Sequence, residues 1–204
     1  MSKQLIFALT AASATGKTSC AKRLCAQMEQ LVLSVSHSTR PKRPGEKDGV
    51  DKYFITLEAF EALDSQEAFV EQTKIFGHRC GHTYEKIEAL MSKGNDLLMI
   101  LDYEGMCQIK KKFPQTISIF LLPPSSDAIV ERIHKRPEAA GVNINARLDS
   151  AREEMRDYVH YDYTVINDCQ EDAVTDLMSI VRAERLKTSQ QQLRHKNCID
   201  LLKI

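Results

Sequence analysis

The sequence predicts an α/β chain with a doubly wound parallel sheet at its core, and three observations carry that prediction. Apolar runs of strand length alternate with segments of helical period along most of the chain. Two of the runs, 96–101 and 117–122, are almost continuously apolar, as central parallel strands covered on both faces require. The 204 residues are enough to bury one full core with small insertions.

The elements follow in order. Residues 5–9 read as a short buried strand that runs into Gly16-Lys17-Thr18. Cys20, Leu24, Met28 and Leu31 then fall near helical spacing over 19–31, and 31–35 is a second β-rich run. Residues 36–52 are polar and basic, with two prolines and two glycines, and read as a loop. An extended piece at 53–55, a Thr-started helix over 57–63 and a strand over 69–75 follow. A helix over 84–93 is stopped by Gly94. The apolar run 96–101 ends in Asp102, and 117–122 ends in Pro123 and Pro124. Ser125 or Ser126 caps a helix running to Arg136. A charge-rich helix is predicted over 144–158, a closing strand over 163–166 and a helix after Asp168. The Gln-rich tail after Lys187 reads as a surface helix or a frayed end. The core is thus 1–36, 96–123 and 159–204, interrupted by insertions at 37–95 and 124–158.

Bulk properties exclude several classes. Lys plus Arg and Asp plus Glu both number 28, so no overall positive field recruits nucleic acid or an anionic membrane. Hydrophobic residues make up 43% and charged residues 27%, an ordinary globular balance. No apolar run approaches the ~20 residues of a spanning helix. The six cysteines form no CxxC pair and no metal-ligand spacing, which suits a reducing cytoplasm. Lys3, the run 5–9 and the small residues from Ala11 to Ala14 loosely resemble a signal peptide. That run is short and the Gly-Lys-Thr turn follows at once, so a cytoplasmic chain is the expectation.

The first chemical site is Ala11, Ala12, Ser13, Ala14, Thr15, Gly16, Lys17 and Thr18, with Ser19 beside it, between strand and helix. Loop amides and a helix N-terminus there present unpaired N–H groups to phosphate oxygens. In such a loop the lysine, Lys17, reaches the terminal phosphates and the hydroxyl of Thr18 holds Mg²⁺. Ala11 stands where the pattern's first glycine belongs, and Ala14 fills another place that is often glycine. The second site is the stretch 34–51, which carries Ser36, Arg40, Pro41, Arg43, Pro44 and Gly45. Two arginines three residues apart on a Pro-stiffened loop can clamp a monophosphate.

This stretch resembles the signature of guanylate kinases. The similarity continues through Phe69-Val70-Glu71, Leu101-Asp102-Tyr103-Glu104-Gly105, 118–124 and Val165-Ile166-Asn167-Asp168, and spans nearly the whole chain. The resemblance implies a P-loop core, a small insertion that binds the nucleoside monophosphate (NMP) at 37–95, and a helical lid at 124–158. It implies ATP as phosphoryl donor, GMP as acceptor and Mg²⁺ as cofactor, in a monomer or homodimer. By resemblance Arg40 and Arg43 hold the acceptor's phosphate, and Ser36 and Glu71 its base. A carboxylate accepts from guanine's N1–H and 2-amino group together, whereas adenine's N1 faces it with a lone pair. Asp102, at a strand end, takes a Walker-B-like place near Mg²⁺ and the acceptor. Arg132, Arg136 and Arg147 fall on lid positions that close over the transferring phosphates, and Arg132 also has Glu131 and Asp127 within pairing reach. Asn167 matches a residue near the adenine of ATP.

Three departures fall in the acceptor pocket. Lys52 and Cys80 replace tyrosines that touch the acceptor phosphate, and His82 replaces the Thr or Ser that helps hold guanine. In the lid, Pro137 replaces a usual glycine. Lys52 can supply a stronger phosphate partner than a phenol, His82 can donate to guanine O6, and Cys80 is a weak donor. Three readings stay open: a GMP kinase, a kinase whose phosphorylated acceptor has drifted, and a silent binding module of the same fold.

Overall fold

The computed structural model describes residues 4–12, 15–75, 77–134 and 153–196. Its core is a five-stranded parallel sheet. The strands are β1 (Ile6–Ala11), β2 (Leu31–Leu33), β7 (Asp96–Ile100), β8 (Ile117–Leu122) and β9 (Tyr163–Ile166), in the order β2-β7-β1-β8-β9. β1 pairs with β7 on one side and β8 on the other, so the strand feeding the phosphate loop lies at the centre. All six β1 residues are buried.

Alternation along β1 and β7 supplies both faces of the core. Phe7, Leu9 and Leu98 pack with Cys20, Ala21 and Leu24 of α1 (Lys17–Gln27) and with Val174, Leu177 and Val181 of α6 (Gln170–Leu186). Ile6, Ala8, Leu97 and Met99 pack on the other face with Ile87 of α3 (Tyr84–Met91) and with Met106 and Ile109 of α4 (Tyr103–Lys112). Helices on both faces make the sheet doubly wound, and its carboxyl edge carries the loops that bind ligands in such folds.

A second, four-stranded sheet is built wholly from the insertion. It comprises β3 (His37–Ser38), β4 (Tyr53–Phe54), β5 (Phe69–Ile75) and β6 (His78–Thr83), in the order β4-β3-β6-β5, with α2 (Leu57–Ser65) beside it. Thr56 caps α2, its side chain accepting from the Ala59 N–H. Two strands depart from the sequence reading. β3 lies inside the stretch read as loop, and β6 was not foreseen, because His78, Arg79, Cys80, Gly81 and His82 offer no apolar alternation. β6 exists because both its edges are paired, to β3 and to β5.

Two further helices among the described residues are α5 (Ser126–His134), whose Ala128 N–H donates to the Ser125 hydroxyl, and α7 (Thr188–Arg194). Of the helix predicted over 144–158, residues 153–156 are helical, 157–160 form a 3₁₀ turn, and the rest lies outside the described residues. No helix of the described residues is long and apolar enough to cross a membrane.

Residues 188–194 of the tail form a docked helix, because Asp96 holds them. That carboxylate, 1% exposed, accepts from the Leu5 N–H at 2.8 Å, Arg185 Nε at 2.7 Å and Arg194 Nη2 at 2.6 Å. Removing it strands two guanidinium groups that are each less than a quarter exposed. Asp96→Ala is therefore expected to cost about 3 kcal/mol of folding stability, read from the urea unfolding midpoint.

His37 gives the fold a pH dependence. Its buried ring stacks on Tyr53 at 4.9 Å, with Phe69 edge-on at 6.0 Å. Burial, with the fields of His82 and Lys86, holds the imidazole below its ordinary range. The unfolded chain takes up a proton there near pH 6.5 while the folded chain does not, so stability falls as pH drops through that value. The unfolding midpoint is expected to be lower at pH 5.5 than at pH 7.5, and His37→Phe to narrow that gap.

Candidate active site

The phosphate loop sits between β1 and α1, and its geometry explains Gly16. The residue has φ 92° and ψ 13°, the left-handed region, and a Cβ there would meet Asn167 Nδ2 at 2.9 Å. Thr15 is buried and folds its hydroxyl onto the Ala12 carbonyl at 2.7 Å. Lys17 Nζ lies 3.3 Å from the Ala11 carbonyl and 3.4 Å from the Leu101 carbonyl, bridging the ends of β1 and β7. Thr18 and Ser19 are exposed in the first turn of α1. Ser13 and Ala14 lie outside the described residues.

Asn167 and Arg132 both reach this loop. Asn167 Nδ2 donates to the Thr15 carbonyl at 2.6 Å. Arg132 donates to the Thr15 carbonyl at 3.4 Å and to the Asn167 carbonyl at 3.0 Å. The sequence places Glu131 and Asp127 within its reach, but the guanidinium spans from α5 to the loop and braces its backbone. Arg136 and Arg147, and Pro137 with them, lie outside the described residues.

Asp102 has a structural task as well as its position. It is the N-cap of α4, with Oδ1 accepting the Gly105 N–H at 2.8 Å. It lines the same cleft as Lys17 and Thr18.

The basic loop holds its arginines by an internal carboxylate. Arg40 grips Glu46 through both terminal nitrogens, at 2.7 and 2.5 Å, and Glu46 also accepts the Arg43 N–H at 2.9 Å. The Arg40 bond, above all, keeps the Glu46 carboxyl below its ordinary range. Half-buried Lys52 donates to the Ser36 hydroxyl at 2.5 Å, and burial pushes its ammonium down from the usual lysine range. Cys80 Sγ lies 3.2 Å from Ser38 Oγ. The His82 ring turns to Glu71, at 2.6 Å from Nδ1, rather than standing free to meet a purine O6.

These parts line one continuous cleft. A lobe of about 840 Å³ is bounded by Gly16, Lys17, Thr18, Arg43 and Asp102. A second lobe of about 620 Å³ is bounded by Ser36, Arg40, Arg43, Lys52, Cys80 and His82. Thr18, Lys22, Arg43 and Ile75 border both lobes, so the phosphate loop and the arginine loop face each other across a shared space. A smaller recess of about 100 Å³ joins Lys17 and Asp102 to Glu71 and His82.

Two residues at the junction escaped the sequence reading. Lys22 bonds Asp51 at 2.5 Å and so ties α1 to the arginine loop. The signal available was its position four residues after Thr18, on the same helix face. Glu46 lies inside the stretch 34–51, but only its grip on Arg40 reveals its part.

Comparison with known proteins agrees with this architecture. The guanylate kinase family model matches residues 2–184. The guanylate kinase of Nitrosococcus oceani is 39% identical over 194 residues, covering 95% of this chain and 96% of that protein. That of Neisseria gonorrhoeae is 42% identical over 186 residues, 91% of each. The crystal structure of guanylate kinase from Anaplasma phagocytophilum superposes with a TM-score of 0.78 at 30% identity, covering 94% of this chain and 92% of that one. With a matching family model over most of its length and relatives at this identity, the chain belongs to the guanylate kinase family.

Proposed function

We propose that the chain transfers the terminal phosphoryl group of ATP to GMP, giving ADP and GDP. The observation that carries this reading is the shared cleft, with Lys17 on one wall and Arg40 and Arg43 on the other. Two anionic nucleotides would otherwise repel, and separate cationic cradles allow both to approach within bonding distance. An acceptor phosphate oxygen attacks the γ-phosphorus in line. The bond to the β–γ bridging oxygen breaks, and its electron pair leaves with ADP.

Individual roles follow from placement. Loop amides and the α1 N-terminus bind the donor's phosphates, and Lys17 meets the charge that builds on the transferring group. Arg132 and Asn167 act on the donor side by holding the Thr15 carbonyl, and so the loop, in shape. Arg40 and Arg43 hold the acceptor phosphate and Lys52 stands behind them. Ser36 and Glu71 face the acceptor base, with Cys80 a small wall residue. Arg136 and Arg147 are proposed as lid arginines from the sequence alone.

The donor set at the cleft also fits Mg²⁺. A hydroxyl from Thr18 and a carboxylate from Asp102 are hard oxygen ligands, and this ion takes few protein ligands beside phosphate oxygens and water. When bound, it would neutralise charge on the donor's phosphates. We propose a monomer or homodimer, as the family resemblance implies. We place the reaction in the cytoplasm, the setting that the cysteine pattern suits.

The test is ADP release measured against a panel of nucleoside monophosphates, with Lys17→Ala as control. Release that requires GMP and disappears in the control is the expected result. Release with a different acceptor would assign a drifted kinase, and silence with every acceptor would assign a binding module.

A further inference from the structure

The acceptor pocket contains a buried pair that joins two strands. Glu71 on β5 and His82 on β6 are 3% and 2% exposed and stand opposite each other in the ladder. Oε1 of Glu71 accepts the backbone N–H of His82 at 2.9 Å and lies 2.6 Å from its Nδ1. That contact assigns the ring proton to Nδ1, because two facing lone pairs at this distance would repel. The other ring nitrogen lies 3.3 Å from the Ser34 carbonyl, a contact that is a hydrogen bond only when this nitrogen carries a proton as well.

The consequence lies in counting acceptors. A carboxylate oxygen has about two lone-pair sites. His82 takes both of those on Oε1, one with its backbone and one with its ring. Oε2 accepts no hydrogen bond from the described residues, and it rests against Gly105, where an added Cβ would come within 2.9 Å of it. One oxygen of Glu71 is therefore left to read a base.

We propose that His82 turns this site from a reader of the whole guanine edge into a reader of the 6-oxopurine N1–H. Inosine monophosphate (IMP) is then accepted nearly as well as GMP. The inference rests on the reading of the acceptor as a purine monophosphate given above. Guanine presents N1–H and a 2-amino group side by side, and a carboxylate with both oxygens free answers both. Here N1–H docks on Oε2, and the 2-amino group finds Oε1 already occupied. Hypoxanthine carries N1–H and lacks the amine, so it forfeits nothing by comparison. Adenine turns a lone pair toward Oε2 and remains excluded. Ser36, whose Oγ accepts from Lys52, keeps its own hydrogen to donate to the 6-oxo group that both accepted bases share. His82 acts through Glu71, as a positioning residue that sets specificity.

The experiment compares kcat/KM for GMP, IMP and AMP at saturating ATP, first in the wild-type chain. GMP is expected to exceed IMP by less than about tenfold, with AMP at least about 100-fold below both. His82→Thr removes the ring donor from Oε1 and is expected to raise the GMP-to-IMP ratio about tenfold, mainly through a lower KM for GMP. His82→Gln restores a side-chain N–H at that place and should return the ratio toward wild type, which separates positioning from general damage to the pocket. Should the Thr variant fail to fold, the wild-type ratio and the Gln variant still decide. A wild-type preference for GMP of tenfold or more, or a folded Thr variant with an unchanged ratio, overturns the inference while leaving GMP phosphorylation intact. Silence with every monophosphate instead removes the phosphotransfer reading itself, and this inference with it.

Discussion

Lys17→Ala is expected to lower kcat for GMP-dependent ADP release by about 10²–10³-fold, with little change in the thermal unfolding midpoint. The ammonium sits between two carbonyls at the ends of β1 and β7, at 3.3 and 3.4 Å, which fix its place without burying it. Charge on the transferring phosphoryl group and its leaving oxygen grows toward the transition state, and a preorganised cation meets that charge without reorganisation. The loss should therefore appear chiefly in kcat. Steady-state kinetics alongside a melting curve would check it, and a kcat within tenfold of wild type would refute the role.

Arg40→Ala is the second large effect, and it should appear on the other substrate. The guanidinium is held by Glu46 at 2.7 and 2.5 Å, a bidentate grip that fixes the plane of the fork. Removing it forfeits charge-assisted hydrogen bonds to the acceptor phosphate and leaves the Glu46 carboxylate facing that phosphate unneutralised. We expect kcat/KM for GMP to fall about 10²–10³-fold, mostly through KM, with the KM for ATP within about threefold of wild type. Arg40→Lys should recover only part of the loss, because an ammonium cannot grip Glu46 and phosphate with the same planar fork. Equal damage to both KM values would mean that the loop supports the whole cleft rather than the acceptor half.

Much of the fold was open to inspection in the chain because core parallel strands need unbroken apolar runs. Residues 96–101 and 117–122 have them, and they are β7 and β8 of the sheet. Helix α2 was legible for a different reason, since Thr56 caps it with its own hydroxyl. Strand β6 was not legible. Its residues are polar or small, and what makes them a strand is hydrogen bonding to partners three to more than forty positions away. The docked tail was hidden in the same way, because Arg194 finds Asp96 from 98 residues along the chain.

The active site divides along the same line. The Gly-Lys-Thr turn, the paired arginines and the strand-end Asp102 announce phosphate chemistry from local spacing, because loop amides, helix ends and short clamps are built from neighbours in sequence. What each of those groups does to the others is a matter of the folded chain. Arg132 had acidic neighbours on its own helix and bonds the Thr15 and Asn167 carbonyls instead. His82 could be read as a donor to a ligand, and it spends Nδ1 on Glu71. The sequence alone therefore determined the kind of chemistry and the sheet that carries it. Tertiary structure decided which hydrogen-bonding capacity remains for a substrate, because a buried polar group satisfies itself with whatever partner the fold brings within about 3 Å, however distant in the chain.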